Sequence, residues 1–407
     1  MKKVLGIVAE YNPFHNGHLY HLNESKRRTD ADYTICVMSG NFVQRGEPAI
    51  IDKWSRAEMA LRSGIDLVIE LPLVYSISSA ENFAYGNISL LDKLGIVDYV
   101  SFGSEVGDMS ILDSIAEILC NEPKEYVSLL NHELAKGISY PKAREKAILM
   151  YLNDIRKYAN VLSNPNNILG IEYLKAIKKL KTELKPITIK RTNANYNSTL
   201  IVDEYASSTA IRKNINKLDI ISKVVPEETY SIIDNKIKHG QIIRGLATYE
   251  KEILYKLRTS SIEYIANLPD VSEGLEHAIK NAANSCNNIM DLISIVKSKR
   301  YTQTRIQRIL LYALLDITKQ DMENSKKGIP YIRVLGMNEN GKKLLSEIVS
   351  RKKLNIIVSP KKFMDNSNNK IAKSLFAKDI LATNIYTLGY EFESISNLDY
   401  TTPVVTI

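Results

Sequence analysis

His15 and His18 stand three residues apart in the run Asn12-Pro13-Phe14-His15-Asn16-Gly17-His18. Two imidazoles at that spacing share one face where a helix begins. A helix start also offers unpaired backbone N–H groups and the positive end of the helix dipole, which together suit a phosphate. Gly17 leaves the backbone bare where a nucleotide can press against it. Imidazoles aimed at a triphosphate donate hydrogen bonds to charge developing on the phosphate oxygens during displacement, with no covalent intermediate. An isolated His-x-x-His pair more often serves packing. A metal centre is weaker still, because no Cys or Glu joins the pair at ligand spacing, and no metal ligands are assigned. The phosphate reading is favoured by position: the box directly follows Val4–Ala9, an apolar run that reads as a buried first strand.

A second box of the same character lies far downstream, at Ser207-Ser208-Thr209-Ala210-Ile211-Arg212. Small hydroxyl residues at a helix start present both O–H and N–H groups, and Arg212 follows one turn later as a fixed cation. Such caps are common singly. Paired with the histidine box, in order, they make a stronger case. Between the boxes, the loop from Gly40 to Ala49 carries Asn41, Gln44 and Arg45 between two glycines, as a substrate clamp or lid would. Asn41 and Arg45 are expected near the phosphates or an acyl group. Lys53 and Arg56 open the next helix and are placed to reach pyrophosphate, with a solvated helix face as the plainer alternative.

These groups need a frame, and the first hundred residues supply one. Short apolar runs at Val4–Ala9, Thr34–Met38, Leu67–Leu71 and Tyr99–Phe102 alternate with helical patterns near His18–Arg28, Lys53–Ser63 and Ser79–Leu94. That alternation predicts β-α-β units and a Rossmann-like parallel sheet in an α/β fold. Ligands bind beyond the carboxyl ends of such strands. The strand ends here are polar or glycine-rich, as at Glu10-Tyr11-Asn12 and Gly103-Ser104-Glu105. A helix is expected from Ser163 to about Lys181, a strand at Pro186–Arg191 and a short helix from Ser207. Beyond about 216 helical patterns dominate. The expected organisation is a catalytic domain over 1–215 and a mainly helical domain over 216–407.

Bulk properties narrow the setting. The chain has 407 residues, 44% hydrophobic and 25% charged, the balance of a soluble globular protein. No apolar run approaches the roughly 20 residues of a membrane helix. The apolar stretch after Lys3 is too short for a secretory signal. Cys36, Cys120 and Cys286 are odd in number and far apart, which argues against a disulfide framework and for the cytoplasm. Of the net charge of +8, only +1 falls within 1–215, so the second half is the basic one. Within it Lys297, Lys299, Arg300, Arg305 and Arg308 surround Tyr301, a mixture suited to a phosphate backbone and one stacked base.

The histidine box after strand one and the Ser-Ser-Thr-x-x-Arg box late in the domain resemble the HIGH-motif nucleotidyltransferase superfamily. Further blocks narrow the likeness. They include Ala9–His18, Ser39–Ala49, Phe102–Glu105, Pro165–Tyr173, Arg300–Arg305 and Tyr331–Gly336. Together they resemble the tRNA(Met) cytidine acetate ligase family over most of the chain. The resemblance implies activation of acetate by ATP to acetyl-adenylate. It then implies acetyl transfer to the wobble cytidine of elongator tRNA(Met), giving N(4)-acetylcytidine. It carries ATP contacts onto Ile7, Val8, Ala9, Glu10, Tyr11, Asn12, Pro13, Phe14, Asn16, Gly17, Leu19 and Tyr20, and onto Gly103, Asn167 and Arg191. Catalysis falls to His15, His18 and Arg212, with Ser207, Ser208 and Thr209 on phosphates and Mg2+ bridging the triphosphate. The alternatives are adenylyl transfer to a small phosphorylated substrate and a tRNA-binding protein with a vestigial nucleotide site.

Overall fold

The computed structural model describes residues 2–191, 205–272, 274–298, 300–351 and 355–407. Five parallel strands form the body of the sheet: β1 (Val4–Ala9), β2 (Tyr33–Ser39), β3 (Leu67–Leu71), β4 (Tyr99–Ser104) and β5 (Lys185–Lys190). Their order is β3-β2-β1-β4-β5, so the chain adds strands on one side of β1 and then crosses to the other. The reversal lies between β1 and β4. Their carboxyl ends therefore splay apart and open a crevice, the standard ligand position of a doubly wound sheet.

The helices that serve this crevice are α1 (Asn16–Thr29), α2 (Lys53–Arg62), α3 (Ala80–Leu94), α4 (Pro165–Leu180) and α5 (Ser208–Lys213). Their starts carry conventional signals. The Asp52 side chain accepts the Ser55 N–H at the start of α2, and Ser79 does the same for Asn82 at α3. Proline occupies the first turn of α4, where no N–H is needed. The strands buried on both faces read as continuous apolar runs, as parallel strands should.

The second half is mainly helical, as its sequence pattern indicates, yet it also returns to the sheet. Strand β6 (Ile332–Met337) pairs antiparallel with β3, and β7 (Ile356–Ile357) and β8 (Val405–Thr406) pair parallel with β6. Position 216 is therefore no edge of the sheet. Side chains stitch the halves together: the Tyr312 hydroxyl donates to the Ile77 carbonyl at 2.8 Å, and Tyr386 to Ala49 at 2.9 Å.

The deepest tie is ionic. Lys53 is fully buried, and its ammonium meets both Glu70 oxygens at 3.0 Å and Asp399 Oδ1 at 2.8 Å. Asp399 comes from the last ten residues and Glu70 from β3, so the cation clamps the chain's end onto the sheet. Its reach to pyrophosphate is thereby corrected: Lys53 neutralises two buried carboxylates instead. Removing the ammonium leaves Glu70 without its ion pair and Asp399 with only the more distant Arg333, 3.8 Å away. Lys53→Met is expected to lower stability by about 3–5 kcal/mol, read as a shift in the urea unfolding midpoint.

Candidate active site

Beyond Ala9 the chain turns sharply through Glu10–Phe14, with Tyr11 at φ 45° and a cis Asn12–Pro13 peptide. The turn delivers His15 to the cap of α1. The His15 N–H donates to His18 Nδ1 at 3.3 Å, and the two rings stack with centroids 3.6 Å apart. A neutral His18 ring that accepts at Nδ1 carries its proton on Nε2, which leaves that N–H as the donor. His15 Nε2 lies 3.0 Å from Ser208 Oγ. The two boxes, 193 residues apart in sequence, are in direct contact.

Both rings line a cavity of about 380 Å3 at the carboxyl ends of β1 and β4. Gly17 lines it too, and a Cβ there would stand 3.0 Å from the His15 ring. The glycine thus makes room for the imidazole as well as for a ligand. Burial pushes the His15 pKa down to about 3, and Arg191 and Arg212 add to the effect. Burial holds His18 well below the ordinary range, with His15, Arg191 and His21 contributing, and burial with Arg191 brings His21 down to about 4. All three rings are neutral at physiological pH. Two stacked imidazolium ions would repel; two neutral rings do not.

Arg212 reaches the cavity from α5. Its Nη1 donates to the Asn12 carbonyl at 2.9 Å and its Nη2 to Thr209 Oγ1 at 3.3 Å, while Glu47 lies 4.0 Å away. Ser207 caps α5 by accepting the Ala210 N–H. Across the cavity, Arg191 follows β5 and lies over Gly103 of β4. A Cβ on Gly103 would be 3.4 Å from Arg191 Cγ, so the bare backbone makes space for that side chain. Glu10 lines the cavity with one carboxylate oxygen accepting the Gln44 N–H at 3.0 Å. Gln44 Nε2 donates to the Ser78 carbonyl, and Arg45 joins the lining.

Several expected contacts lie elsewhere. Pro13, Phe14, Asn16 and Leu19 do not line the cavity: Phe14 is fully buried against Tyr11, and Asn16 donates to the Lys223 carbonyl at 3.2 Å. Asn167 is also buried; its Oδ1 accepts the N–H groups of Glu105 and Val106, shaping the turn after β4. Its neighbours Asn166 and Ile168 face the cavity in its place. Asn41 is buried behind the loop, bonded to Thr383 and to the Lys53 N–H, so it projects toward neither phosphate nor acyl group. Arg56 is buried among backbone carbonyls and does not reach pyrophosphate.

The basic segment divides likewise. Lys297 and Arg300 precede helix α6 (Gln303–Leu314), and Lys299 lies outside the described residues. Arg305 donates to the Asp270 carbonyl and stacks on Tyr301, its guanidinium carbon 5.0 Å from the ring centre. Arg308 is buried and paired with the Asp270 carboxylate at 3.2 Å. Both cations brace α6, Arg308 from a buried position and Arg305 from a half-buried one.

Other lining residues escaped sequence reasoning. His21 continues the three-residue period of His15 and His18, and that period was the available signal. Phe83, Phe102 and Tyr173 give the cavity an apolar wall but carry no local mark distinguishing them from core. Thr304 arrives from α6, which only tertiary packing brings near.

With this geometry in view, comparison with known proteins is decisive. The model of the HIGH nucleotidyl transferase family matches residues 1–399. A tRNA(Met) cytidine acetate ligase of Caldanaerobacter subterraneus is 48% identical over 406 residues, covering 99% of both chains. The chain belongs to this family. Another family member, from Acetivibrio thermocellus, is 44% identical over 96% of this chain and 95% of its own. Two crystal structures of Thermotoga maritima TmcAL superpose on it, each covering 100% of this chain and 99% of theirs. The apo form does so with a TM-score of 0.95 at 35% identity, the form bound with alpha-thio ATP with 0.91 at 36%. Family membership makes the chain a ligase of the nucleotidyltransferase type, and neither small-molecule adenylyl transfer nor a vestigial site is favoured.

The depressed histidines have a measurable consequence. An unfolded histidine binds its proton near pH 6.5, whereas folded His15 and His21 do so only near 3 and 4. The unfolded state therefore binds more protons below pH 6.5, and stability falls as pH drops through that point. In an NMR titration the His15 ring resonances should stay at their neutral positions down to about pH 4. A His15 midpoint near 6.5 would contradict a buried neutral ring.

Proposed function

We propose that the chain is an ATP-dependent acetate–tRNA ligase acting in the cytoplasm. It forms acetyl-adenylate and passes the acetyl group to the wobble cytidine of elongator tRNA(Met), giving N(4)-acetylcytidine. The observation that carries this reading is the meeting of both phosphate boxes in one crevice, His15 Nε2 against Ser208 Oγ at 3.0 Å.

The chemistry follows from the groups present. One acetate oxygen attacks the α-phosphorus and pyrophosphate leaves. The His18 Nε2–H and the start of α1 donate to oxygens on which charge accumulates. Neutral rings held in place serve this better than mobile cations, since they need no reorganisation as charge develops. Arg212 and the Ser207–Thr209 helix start hold the departing phosphates, with Arg191 on the opposite wall. The residues suit such a polyanion: among the described residues, three arginines, Arg45, Arg191 and Arg212, line the cavity. Magnesium would enter on the triphosphate. Among the described residues no three His, Cys, Asp or Glu side chains converge into a site of their own, and the ion, carried by the nucleotide, would neutralise the outgoing charge.

The tRNA would dock on the basic second half, with Lys297 and Arg300 presented beside Tyr301 and Arg305 and Arg308 bracing that segment. An anticodon-loop base is already unpaired or easily extruded, so exposing it costs little.

ATP–pyrophosphate exchange tests the reading. Exchange should appear only with acetate present, and His18→Ala should lower it by roughly 10²–10³-fold, the range for removing one such donor. Exchange that ignores acetate, with and without tRNA, would overturn the assignment.

A further inference from the structure

Acyl transfer to an exocyclic amine releases a proton, and the cavity has few groups that could take it. His18 Nδ1 is occupied by the His15 N–H and its Nε2 carries a proton. His15 Nε2 is engaged with Ser208, and His21 Nε2 with Ser101 Oγ at 3.0 Å. Lys190 and the arginines are cations. Among the described residues two carboxylates line the cavity, Glu10 and Glu47. Glu47 is held by Gln307 Nε2 at 3.3 Å and faces Arg212. Glu10 stands at the carboxyl end of β1, five residues before His15, with Oε1 fixed by the Gln44 N–H.

From this placement we infer that Glu10 is the proton acceptor of the acyl-transfer step. The inference rests on the acetate–tRNA ligase reading. The cytidine N4 lone pair attacks the acetyl carbonyl carbon and a C–N bond forms. The C–O bond to the phosphate then breaks, and AMP leaves with that electron pair. The N4 proton passes to the Glu10 carboxylate and on to solvent.

The surroundings suit a base. Burial among the walls of the crevice, Tyr173 included, raises the Glu10 carboxyl above the ordinary range. The Gln44 N–H and the Arg45, Arg212 and Arg56 guanidiniums pull it part of the way back, and the balance leaves it with more affinity for a proton than a solvated carboxylate. The backbone of Glu10 is fixed independently, because its carbonyl accepts from Arg56 Nη1 at 2.6 Å.

Glu10→Gln tests the assignment, since the amide oxygen can still accept the Gln44 N–H. The enzyme is charged with ATP and acetate and then mixed with tRNA(Met). Acetylcytidine formation in a single turnover is read beside acetate-dependent exchange. Transfer should fall roughly 100-fold more than exchange does, the low end of the range for general bases. Wild-type transfer should also lose rate as pH falls through the Glu10 titration. Glu10→Asp should keep that limb at reduced rate, and Glu10→Gln should lack it. Equal losses in both half-reactions would make Glu10 a structural or ATP-binding residue. Unchanged transfer would give the proton to the leaving phosphate instead. Either result overturns the assignment while leaving the ligase reading intact. A wild type that forms acetyl-adenylate with no other carboxylate yet acetylates no cytidine would overturn the ligase reading, and this assignment with it.

Discussion

The site depends on a buried guanidinium. Arg56 lies beneath the crevice, fully removed from solvent, and donates to the carbonyls of Glu10, Ser39, Gly40 and Ile51. The carbonyls of Glu10, Ser39 and Gly40 sit where β1 and β2 end and their backbones diverge, and that of Ile51 lies just before α2. A crevice at a topological switch exposes such orphans by construction, and leaving them unpaired in a buried place is costly. The planar fork of an arginine carries five donors in a fixed geometry and can serve all four at once, one more than the three donors of a lysine allow. By fixing the end of β1, Arg56 fixes the turn that carries Glu10 and delivers His15 to the cap of α1.

From that fixed end, the electrostatics follow a single plan. The crevice gathers Arg45, Arg191 and Arg212 around rings that burial keeps neutral. Cations and uncharged donors face the cavity together, so the interior is positive without charging the histidines. A ligand with several negative charges enters a field already aimed at it and needs little rearrangement of protein dipoles. The price of the plan is a fold that weakens in acid, because every neutral buried histidine favours the unfolded chain once protons are abundant.

The second half of the chain does more than supply basic surface. It donates a strand to the sheet, and Asp399 to the buried pair of Lys53 and Glu70. Helix α6 presses on the loop between β2 and α2. Gly46 there has φ 77°, and an added Cβ would come within 2.5 Å of the Arg308 backbone nitrogen. The loop is thereby held against the crevice by residues 260 positions away, as the Gln307–Glu47 contact shows. Such packing couples the region read as tRNA-facing to the wall of the nucleotide cavity.

In the first half of the chain the order of strands and helices and the placement of both phosphate boxes were legible in the residues alone, whereas the strands that the second half returns to the sheet were not. The legible features are local: apolar runs of strand length, capping residues and histidines at helical spacing are legible without partners. The sequence also carried the family resemblance, because the blocks that bear it are contiguous. What tertiary structure alone decided is which polar side chains face the cavity. Asn41, Lys53, Arg56 and Asn167 look in sequence like His18 or Arg212, since a buried polar group and a catalytic one obey the same chemistry. Each needs a partner, and the partners of these four are distant segments: Thr383, Asp399, the ends of two strands, and the turn after β4. The apolar wall of Phe83, Phe102 and Tyr173 was hidden for the converse reason. An aromatic residue bordering a cavity and one filling a core have the same local pattern, and only the path of the whole chain leaves one of them a space to face.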